Sequence, residues 1–468
     1  MAIVTLNHIQ GKNGSNWSRL MRSAEADKYC IVAVDAAKYV NAAIICNIEG
    51  YILKGPFEFD GSQTGFKVLK KEINQTREAY QLTDVILGIE TTAHYYEDLV
   101  RVCGEEGYLI RIINAVTTAE IRRKMLNYTK TDRVDLNAIV QAVLQGHGET
   151  SRKKEEDFEN LKTLTRARRR MVDDQTRCVN HIRLYMDHIF REFQGKNMRI
   201  DGKNQLVKIF EEITSKSALF LMRHYPHPSD VLSLGHAGLR KLSIENNLKM
   251  RDSTIERLLT YARESISKPK EALATELLLL RLKLDEFELI HRQIAELEEV
   301  IEELLLKTDG GILLSIPGVA TTLAAELTAE MGNLENFHSA DQLIKMAGTN
   351  PVVKQSGGKK ASHFAISKQG RAPFRCVVYL LGRSVARFNP EMKEHYHKLK
   401  ERGKLTGQAY IALGNRILRI AYAMRKHQTL YKSQQPDYVL KNVITGKLRN
   451  NRKVAAFYSR FVEIEHLV

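Results

Sequence analysis

The first 150 residues alternate between short apolar runs and longer segments with helical periodicity. Residues 1–28 are polar and aperiodic, which predicts a flexible N-terminal tail. Apolar residues recur at helical spacing over 66–80, over 93–105 and again from Thr131. Apolar runs of strand length occur at 29–35, 40–47, 51–59, 84–90 and 108–114. Hairpin strands followed by β-α-β alternation predict an α/β domain over residues 29–150, with helices packed on a mixed sheet.

Residues 151–307 show almost no strand pattern and predict a helical linker. One long helix is predicted over 161–190, a break at Pro226 and Pro228, and a second long helix from about residue 271. On this second helix, apolar residues alternate at spacings of three and four: Phe287, Ile290, Ile294, Leu297, Ile301 and Leu304. The spacing is typical of a coiled coil. It fits either a helix hairpin within one chain or a coiled coil between two copies.

Beyond Gly310 and Gly311 the pattern is mostly helical, with basic loops between the helices. We predict a C-terminal domain over residues 308–430 and a basic tail over 431–468. Residues 316–319 (IPGV) separate two helical stretches and resemble the turn of a helix-hairpin-helix. In such a turn Gly318 lets the backbone approach a phosphate. An ordinary helix turn that contains Pro and Gly is the alternative.

Charge is distributed unevenly along the 468 residues. The chain has 71 Lys and Arg against 55 Asp and Glu, a net charge of +16. Residues 351–468 contain 24 basic and 6 acidic residues, a net of +18, whereas residues 1–350 contain 47 and 49, a net of −2. The basic C-terminal quarter indicates a polyanionic partner, either nucleic acid or an anionic membrane surface.

The composition argues against several classes of protein. With 43% hydrophobic and 27% charged residues the chain is globular, and its length favours two or three domains. The N-terminus lacks the apolar core of a signal peptide, and the apolar run at 277–284 is interrupted by Arg281 and Lys283, so a membrane span is not expected. Five scattered cysteines without CxxC pairs argue against a zinc ribbon or a disulfide framework and fit a reducing cytoplasm.

Four acidic residues fall at the ends of predicted elements. Asp35 ends the first strand, Glu90 ends a later buried strand, and Asp132 and Asp135 share one face of a helix start. If the two strands are parallel neighbours, the four carboxylates cluster and need cations such as Mg²⁺ or Mn²⁺. Two such ions can hold the attacking and leaving oxygens of a phosphodiester. Each residue alone also fits a turn, a helix start or a cap. Their order resembles the RuvC-like branch of the ribonuclease H fold.

A serine in the basic quarter lies beside two glycines. Ser356 precedes Gly357 and Gly358, and the cationic residues around it are Lys354, Lys359, Lys360, Lys368 and Arg371. A serine hydroxyl needs activation before it attacks a phosphodiester, and the phosphate oxygens need neutralisation, which the cations can supply. Spacing alone fits a flexible loop equally well.

The predicted helix at 161–190 has a basic face. Arg166, Arg170, Arg177 and His181 recur at helical spacing. They predict a face that binds a nucleic-acid backbone, with an ordinary solvated face as the alternative.

These motifs together resemble the DEDD-type transposases of the insertion sequence one-hundred-and-ten group and the related Piv-type DNA invertases. The N-terminal signature comprises AVDAAK (33–38), LGIETT (87–92) and KTDRVD (130–135). The C-terminal signature extends from SIPGVATT (315–322) through QSGGKK (355–360) and ISKQG (366–370) to ILRIAYAM (417–424). The resemblance covers about residues 29–430, with both signatures in the family order.

The resemblance implies a function. Asp35, Glu90, Asp132 and Asp135 become metal-binding carboxylates for Mg²⁺ or Mn²⁺, and Ser356 becomes the covalent nucleophile of a composite active site. The implied reaction is strand cleavage through a phosphoserine linkage, strand exchange and religation. The implied partners are double-stranded target and donor DNA, a guide (bridge) RNA and further copies of the chain, as a dimer or tetramer. The implied location is the cytoplasm of a prokaryote, in association with the nucleoid.

Three other functions remain open at this point. A site-specific DNA invertase of the same family uses the same residues. A RuvC-like metal-dependent junction nuclease needs the carboxylates but no serine and forms no DNA–protein adduct. A non-catalytic nucleic-acid-binding protein needs neither.

Overall fold

The computed structural model describes residues 26–91, 93–124, 131–150, 156–352, 355–356, 359–360, 365–432 and 452–459. The chain forms two compact units, Met1–Lys153 and Lys154–Val468. Most of the predicted N-terminal and C-terminal tails lies outside the described residues.

The first unit contains a six-stranded mixed sheet. Its strands are β1 (Tyr29–Asp35), β2 (Val40–Asn47), β3 (Ile52–Asp60), β4 (Asp84–Glu90), β5 (Leu109–Ile113) and β6 (Glu149–Thr150). Their order across the sheet is β3-β2-β1-β4-β5-β6. β1, β4 and β5 are parallel, while β2, β3 and β6 run antiparallel to their neighbours. The predicted hairpin strands followed by β-α-β alternation are therefore confirmed, and the short β6 was not predicted.

Helices cover both faces of this sheet. They are α1 (Gln63–Tyr80), α2 (Tyr96–Glu105), α3 (Ala115–Lys124) and α4 (Asp132–Leu144). Side chains of β1 alternate between the two faces, as a strand requires. Val32 packs in a core with α1 and α2, and Ile31 packs in a second core with α3 and α4. Two buried faces explain why β1 and β4 are continuous apolar runs.

Gly88 allows α4 to lie close against the sheet. A Cβ at this position would meet Val143 Cγ2 at 2.4 Å and Ile139 Cγ2 at 3.3 Å. Any larger residue would therefore push α4 away from β4. This close packing sets the distance between α4 and the sheet, and the first turn of α4 carries Asp132 and Asp135.

The second unit is mostly helical. Its helices are α5 (Glu156–Ile189), α6 (Lys216–His224), α7 (Pro228–Glu245), α8 (Asp252–Glu264), α9 (Ala274–Lys307), α10 (Thr321–Met331), α11 (Ala340–Ala347), α12 (Ala372–Phe388), α13 (Pro390–Glu401), α14 (Thr406–His427) and α15 (Arg452–Tyr458). Two short hairpins interrupt them, formed by β7 (Lys196–Ile200) with β8 (Lys203–Val207) and by β9 (Gln355–Ser356) with β10 (Lys359–Lys360).

The two long helices α5 and α9 pack against each other within the chain. Arg168 pairs with Glu298 at 2.5 Å, and Cys178 Sγ donates to the carbonyl of Lys283 at 3.2 Å. Residue numbers that rise on one helix while they fall on the other define an antiparallel pair. The six residues of the coiled-coil pattern on α9 are buried or half-buried, so the structure shows the intramolecular hairpin. A coiled coil between two copies remains a prediction.

Two apolar cores hold the second unit together. One core packs the C-terminal end of α5 and the N-terminal part of α9 against α6, α7 and α8. The other packs Leu161, Ile301 and Leu305 with α10 to α14 and with Phe457 of α15. The opposite ends of the helix pair thus contribute to different cores, and the same two helices connect them.

The hairpin β7–β8 was not predicted, because residues 196–207 are mainly polar. Lys203, Asn204, Gln205 and Leu206 are exposed, so β8 lacks the apolar alternation that marks a half-buried strand. None of the helices in the described part of the chain combines the length and the apolar composition that a membrane span needs. The five cysteines are free, and four of them are buried. Burial raises the pKa of Cys103 to about 12, so its thiol is not a nucleophile at neutral pH.

Candidate catalytic sites

The carboxylates at the ends of β1 and β4 lie at one edge of the sheet. These strands are parallel neighbours, with Val34 opposite Ile89. Asp35 and Glu90 follow these paired residues and end their strands, as predicted. Glu90 is only 8% exposed, whereas Asp35 is half-buried. The structure therefore confirms that these two residues are neighbours along the backbone edge of the sheet.

The start of α4 carries the other two carboxylates. Thr131 caps the helix, since its hydroxyl accepts a hydrogen bond from the Val134 N–H at 3.4 Å. Asp135 is 5% exposed, whereas Asp132 is exposed. The two side chains therefore share a helix turn but differ in their access to water.

Arg122, on the last turn of α3, connects two of these carboxylates. Its Nη1 lies 2.7 Å from Asp135 Oδ1 and 3.7 Å from Glu90 Oε2. The exposed fractions of the three side chains are 21%, 7% and 11%. Burial of two carboxylates in proximity is unfavourable without a compensating cation, and the guanidinium supplies that charge. Sequence reasoning missed Arg122, because three basic residues at a helix end are a common stabilising feature.

The carboxylates fit a hard divalent cation by their chemistry. All four offer oxygen ligands only, which is the donor set that Mg²⁺ and Mn²⁺ prefer. The guanidinium between Glu90 and Asp135 shows that this position stabilises a positive charge. Within the described part of the chain, however, no three His, Cys, Asp or Glu side chains are arranged closely enough to hold a metal ion. The contact through Arg122 brings two of the four predicted ligands together, and their role as metal ligands remains a prediction.

Ser356 lies at the turn of a short antiparallel hairpin. Its backbone pairs with that of Lys359, and Gln355 pairs with Lys360. Gly357 and Gly358 connect the two strands in sequence and lie outside the described residues, as does Lys354. The register places the predicted nucleophile and a lysine opposite each other across the hairpin. The side chains of Ser356, Lys359 and Lys360 are likewise outside the described part.

Hydrogen bonds join the two ends of this hairpin segment to each other, and a further one connects the segment to the helical core. Val352 N–H donates to the carbonyl of Ala365, and Ser367 N–H donates to that of Asn350. The Ser367 hydroxyl also donates to Asn350 Oδ1 at 2.6 Å. One residue earlier, the Thr349 hydroxyl donates to Asn415 Oδ1 of α14 at 2.6 Å. The segment that carries the serine therefore starts and ends on a fixed support.

Lys368 and Arg371 lie where the segment returns to the core. Lys368 N–H donates to the carbonyl of Gly348, and Arg371 N–H donates to that of Met346. Both side chains are exposed. Burial lowers the pKa of Lys162, and the charge of Arg371 lowers it further. Cations of the serine segment and of α5 thus lie close together in this unit.

Gly318 contacts another helix of the same unit. It adopts a φ of +87°, and a Cβ there would meet Phe388 Cβ at 3.2 Å. Its carbonyl accepts a hydrogen bond from the Ser384 hydroxyl at 2.6 Å. The turn follows a 3₁₀ helix, Asp309–Ser315, rather than an α-helix. The close approach in the structure is therefore to α12, and contact with a phosphate remains a prediction.

The predicted basic face of α5 is partly engaged in ion pairs. Arg166 pairs with Glu330 at 2.7 Å, and Arg169 pairs with Glu326 on the same helix, α10. Both glutamates are 3% exposed, and burial raises the pKa of Glu326. The sequence did not reveal these pairs, because their partners lie about 160 residues apart. Arg170 and Arg177 are exposed, and Arg177 contacts Asp174 on its own helix. Nucleic-acid binding by Arg166, Arg170 and Arg177 remains a prediction.

Two protein-family models match the chain. Residues 32–191 match a transposase model named for the DEDD motif and IS110, and residues 310–397 match the model of the transposase IS116/IS110/IS902 family. Together they span more than half of the chain. The first match contains Asp35, Glu90, Asp132 and Asp135, and the second contains Ser356.

Curated relatives come from several insertion elements and from pilin inversion systems. An uncharacterized 42 kDa protein of insertion element IS900 from Mycobacterium paratuberculosis is 26% identical over 306 residues, which is 64% of this chain and 73% of the relative. An uncharacterized 44.8 kDa protein of insertion element IS116 from Streptomyces clavuligerus is 23% identical, over 59% of this chain and 66% of the relative. A pilin gene-inverting protein from Moraxella bovis is 27% identical, over 24% of this chain and 35% of the relative. The chain therefore belongs to the IS116/IS110/IS902 family of transposases, which are DNA strand-transfer enzymes.

Proposed function

We propose that this chain is the transposase of a mobile insertion element, a DNA recombinase guided by a bridge RNA, which cleaves and rejoins strands through Ser356. The observation that carries the proposal is the carboxylate edge of the first unit. Asp35 and Glu90 end adjacent parallel strands, and Asp135 approaches Glu90 through Arg122. The order and orientation of β1 to β5 support a RuvC-like ribonuclease H fold for this unit.

The chemistry proposed for Ser356 conserves a phosphodiester bond. Its Oγ attacks the scissile phosphorus, a new Oγ–P bond forms, and one P–O bond to deoxyribose breaks. The departing oxygen leaves as a hydroxyl after it accepts a proton, while the serine proton passes to solvent. Attack of a second DNA hydroxyl on the phosphoserine reverses these changes and releases the serine. Religation therefore needs no ATP.

The carboxylates are proposed to hold the metal ions of this reaction. Transposases with this motif typically use a divalent metal. Asp35, Glu90, Asp132 and Asp135 would supply oxygen ligands, and bound Mg²⁺ or Mn²⁺ would supply neutralisation of charge on the scissile phosphate. Glu90 and Asp135 are buried from solvent, and electrostatic interactions are stronger there than in water.

The cationic residues around Ser356 are proposed to bind the DNA backbone. The hairpin register brings Lys359 opposite Ser356, and Lys368 and Arg371 are exposed at the base of the segment. Lys354, Lys360 and Gly318 are proposed to add further backbone contacts, and Arg170 and Arg177 an RNA or DNA contact. These contacts carry no sequence information, which fits recognition of sequence by a guide RNA.

We expect the double substitution Lys359→Gln/Lys360→Gln to weaken DNA binding and to flatten its salt dependence. Each phosphate contact adds about 0.9 to the slope of log K against log salt, so loss of both lowers the slope by up to about 2. Titration of a labelled duplex at several salt concentrations measures this slope.

Lys67→Gln/Lys71→Gln on α1 is the matched control for the lysine pair. These two lysines are exposed, and the substitution removes the same charge from the first unit. Equal slopes for the two variants would show that net charge, rather than the serine segment, governs binding.

A site-specific DNA invertase is the second candidate, which the similarity to pilin gene-inverting proteins favours.

A bound guide RNA distinguishes the two candidates. We expect the purified chain to retain one structured RNA, encoded beside its own reading frame. Sequencing of RNA that co-purifies with the chain, compared with total RNA from the same cells, measures this enrichment. Recombination at fixed inverted sites by RNA-free protein would contradict guidance and support the invertase.

The active form is proposed to be a homo-oligomer, a dimer or a tetramer. Strand exchange joins two DNA duplexes and needs a serine for each strand that is cut. The exposed leucines of α9 support this proposal, since Leu282 and Leu289 are seven residues apart on the face opposite the intramolecular seam.

A further inference from the structure

We propose that Arg122 is the resident cation of the carboxylate site, which holds Glu90 and Asp135 together until a divalent metal ion displaces it. The inference rests on the proposed metal-binding function of these carboxylates. It adds an exchange of cations to that function, with Arg122 as a positioning residue that controls metal affinity.

The first step is the cost of the carboxylate pair without metal. Glu90 and Asp135 are both nine-tenths buried, one on a strand end and one on a helix start. Two negative charges in such a position repel each other and lose hydration. One nitrogen, Nη1 of Arg122, lies within ion-pair distance of both groups. Its charge keeps the start of α4 and the end of β4 close together while no metal is bound.

The second step is competition for the same oxygens. Mg²⁺ binds carboxylate oxygens at about 2.0–2.1 Å and requires nearly octahedral geometry. Asp135 Oδ1 already accepts a hydrogen bond from Arg122 at 2.7 Å, and Glu90 Oε2 faces the same nitrogen. A guanidinium in this position repels an approaching divalent cation and occupies its ligands. Metal binding at these oxygens therefore requires that Arg122 leave.

The third step is the path by which Arg122 leaves. Arg122 lies on the last turn of α3, and its side chain is 21% exposed. The next two residues, Arg123 and Lys124, are exposed. A rotation of the Arg122 side chain thus carries its charge into water without moving the core residue Ile121, which anchors the helix. The exchange needs no change in the sheet.

Substitution of Arg122 should raise the metal affinity of the free protein. We expect Arg122→Gln to lower the Kd for Mn²⁺ about tenfold or more, which corresponds to about 1.4 kcal/mol. Electron paramagnetic resonance of free Mn²⁺ measures the Kd on the full-length chain without nucleic acid. Activity does not enter this measurement. Asp135→Asn in the Arg122→Gln background should remove the gain, which assigns the ion to this site.

Arg123→Gln is the matched control, because it removes the same charge from the adjacent exposed residue. An equal gain in Mn²⁺ affinity for Arg122→Gln and Arg123→Gln would overturn the proposal, since the loss of one positive charge near the site would then account for the gain. An unchanged Kd in Arg122→Gln, with Mn²⁺ bound by the wild type, would also overturn the exchange while leaving the metal site intact. Absence of Mn²⁺ binding in every variant would instead refute the metal site itself.

Thermal unfolding keeps the proposal testable if Arg122→Gln folds poorly. Arg122→Lys retains the positive charge, but a compact ammonium group replaces the planar guanidinium that reaches both carboxylates. We expect the Tm of Arg122→Lys in EDTA to lie below that of the wild type, and its rise on addition of Mn²⁺ to exceed the wild-type rise. Equal rises for the two proteins would contradict the exchange.

Discussion

Ser356→Ala is expected to abolish recombination while DNA and RNA binding remain at the wild-type level. Alanine removes only the hydroxyl, and the reaction proposed here has no other group that can form the covalent linkage. Loss of a covalent nucleophile lowers the rate by at least about 10³-fold. The metal ions and cationic side chains that remain can stabilise the reacting phosphate, but they cannot replace the attacking oxygen. A recombination assay on paired donor and target DNA, with binding measured in parallel, checks the result.

Ser362→Ala is the control for this substitution, because it removes a hydroxyl from the same segment six residues later. We expect it to recombine DNA at a rate close to that of the wild type. If Ser356→Ala retains wild-type recombination, the serine assignment is wrong. If Ser362→Ala is equally inactive, the loss reflects the fold of the segment rather than the chemistry of one residue.

Asp135→Asn is expected to lower strand cleavage by about 10²–10³-fold, because a metal ligand at a phosphodiester contributes several kcal/mol to stabilisation of the transition state. Asparagine keeps the size of the side chain but removes its charge. EDTA should reduce the wild-type rate to a similar level and have little further effect on the variant. Cleavage rates with and without EDTA provide the measurement.

Asp98→Asn on α2 is the matched control for the loss of one carboxylate. Its side chain is 88% exposed and forms an i,i+3 ion pair with Arg101, so its removal should leave cleavage unchanged. Full activity of Asp135→Asn, or wild-type activity in EDTA, would reject the role of the carboxylates in metal binding.

Most of the first unit could be predicted from its apolar pattern. β1 and β4 are buried on both faces, so Ile31 and Val32 are both apolar, and each strand is visible in the sequence as a continuous apolar run. The sequence left the parallel pairing of β1 with β4 as a condition, and the structure shows this pairing, with Val34 opposite Ile89 just before Asp35 and Glu90. The long helices α5 and α9 were equally visible, since their apolar spacing continues over several turns.

The remaining features depend on contacts between distant residues. Arg122 lies in a basic helix end, and only its three-dimensional position beside Glu90 and Asp135 distinguishes it from Arg123. The Arg169–Glu326 pair joins residues that no local pattern connects. In the sequence Gly88 is one small residue in an apolar run. That it allows α4 to pack closely against β4 is visible only in the three-dimensional structure. Local propensity contains no information on such contacts.

Covalent trapping tests the central claim, which is that Ser356 forms a bond to DNA. Wild-type chain incubated with RNA, donor and target DNA and Mg²⁺ is denatured, digested with nuclease and protease, and analysed by mass spectrometry. We predict a nucleotide attached through a phosphodiester to the peptide that contains Ser356, which is absent in Ser356→Ala. Cleaved DNA with free ends and no adduct on any peptide would contradict the account and identify a hydrolytic nuclease instead.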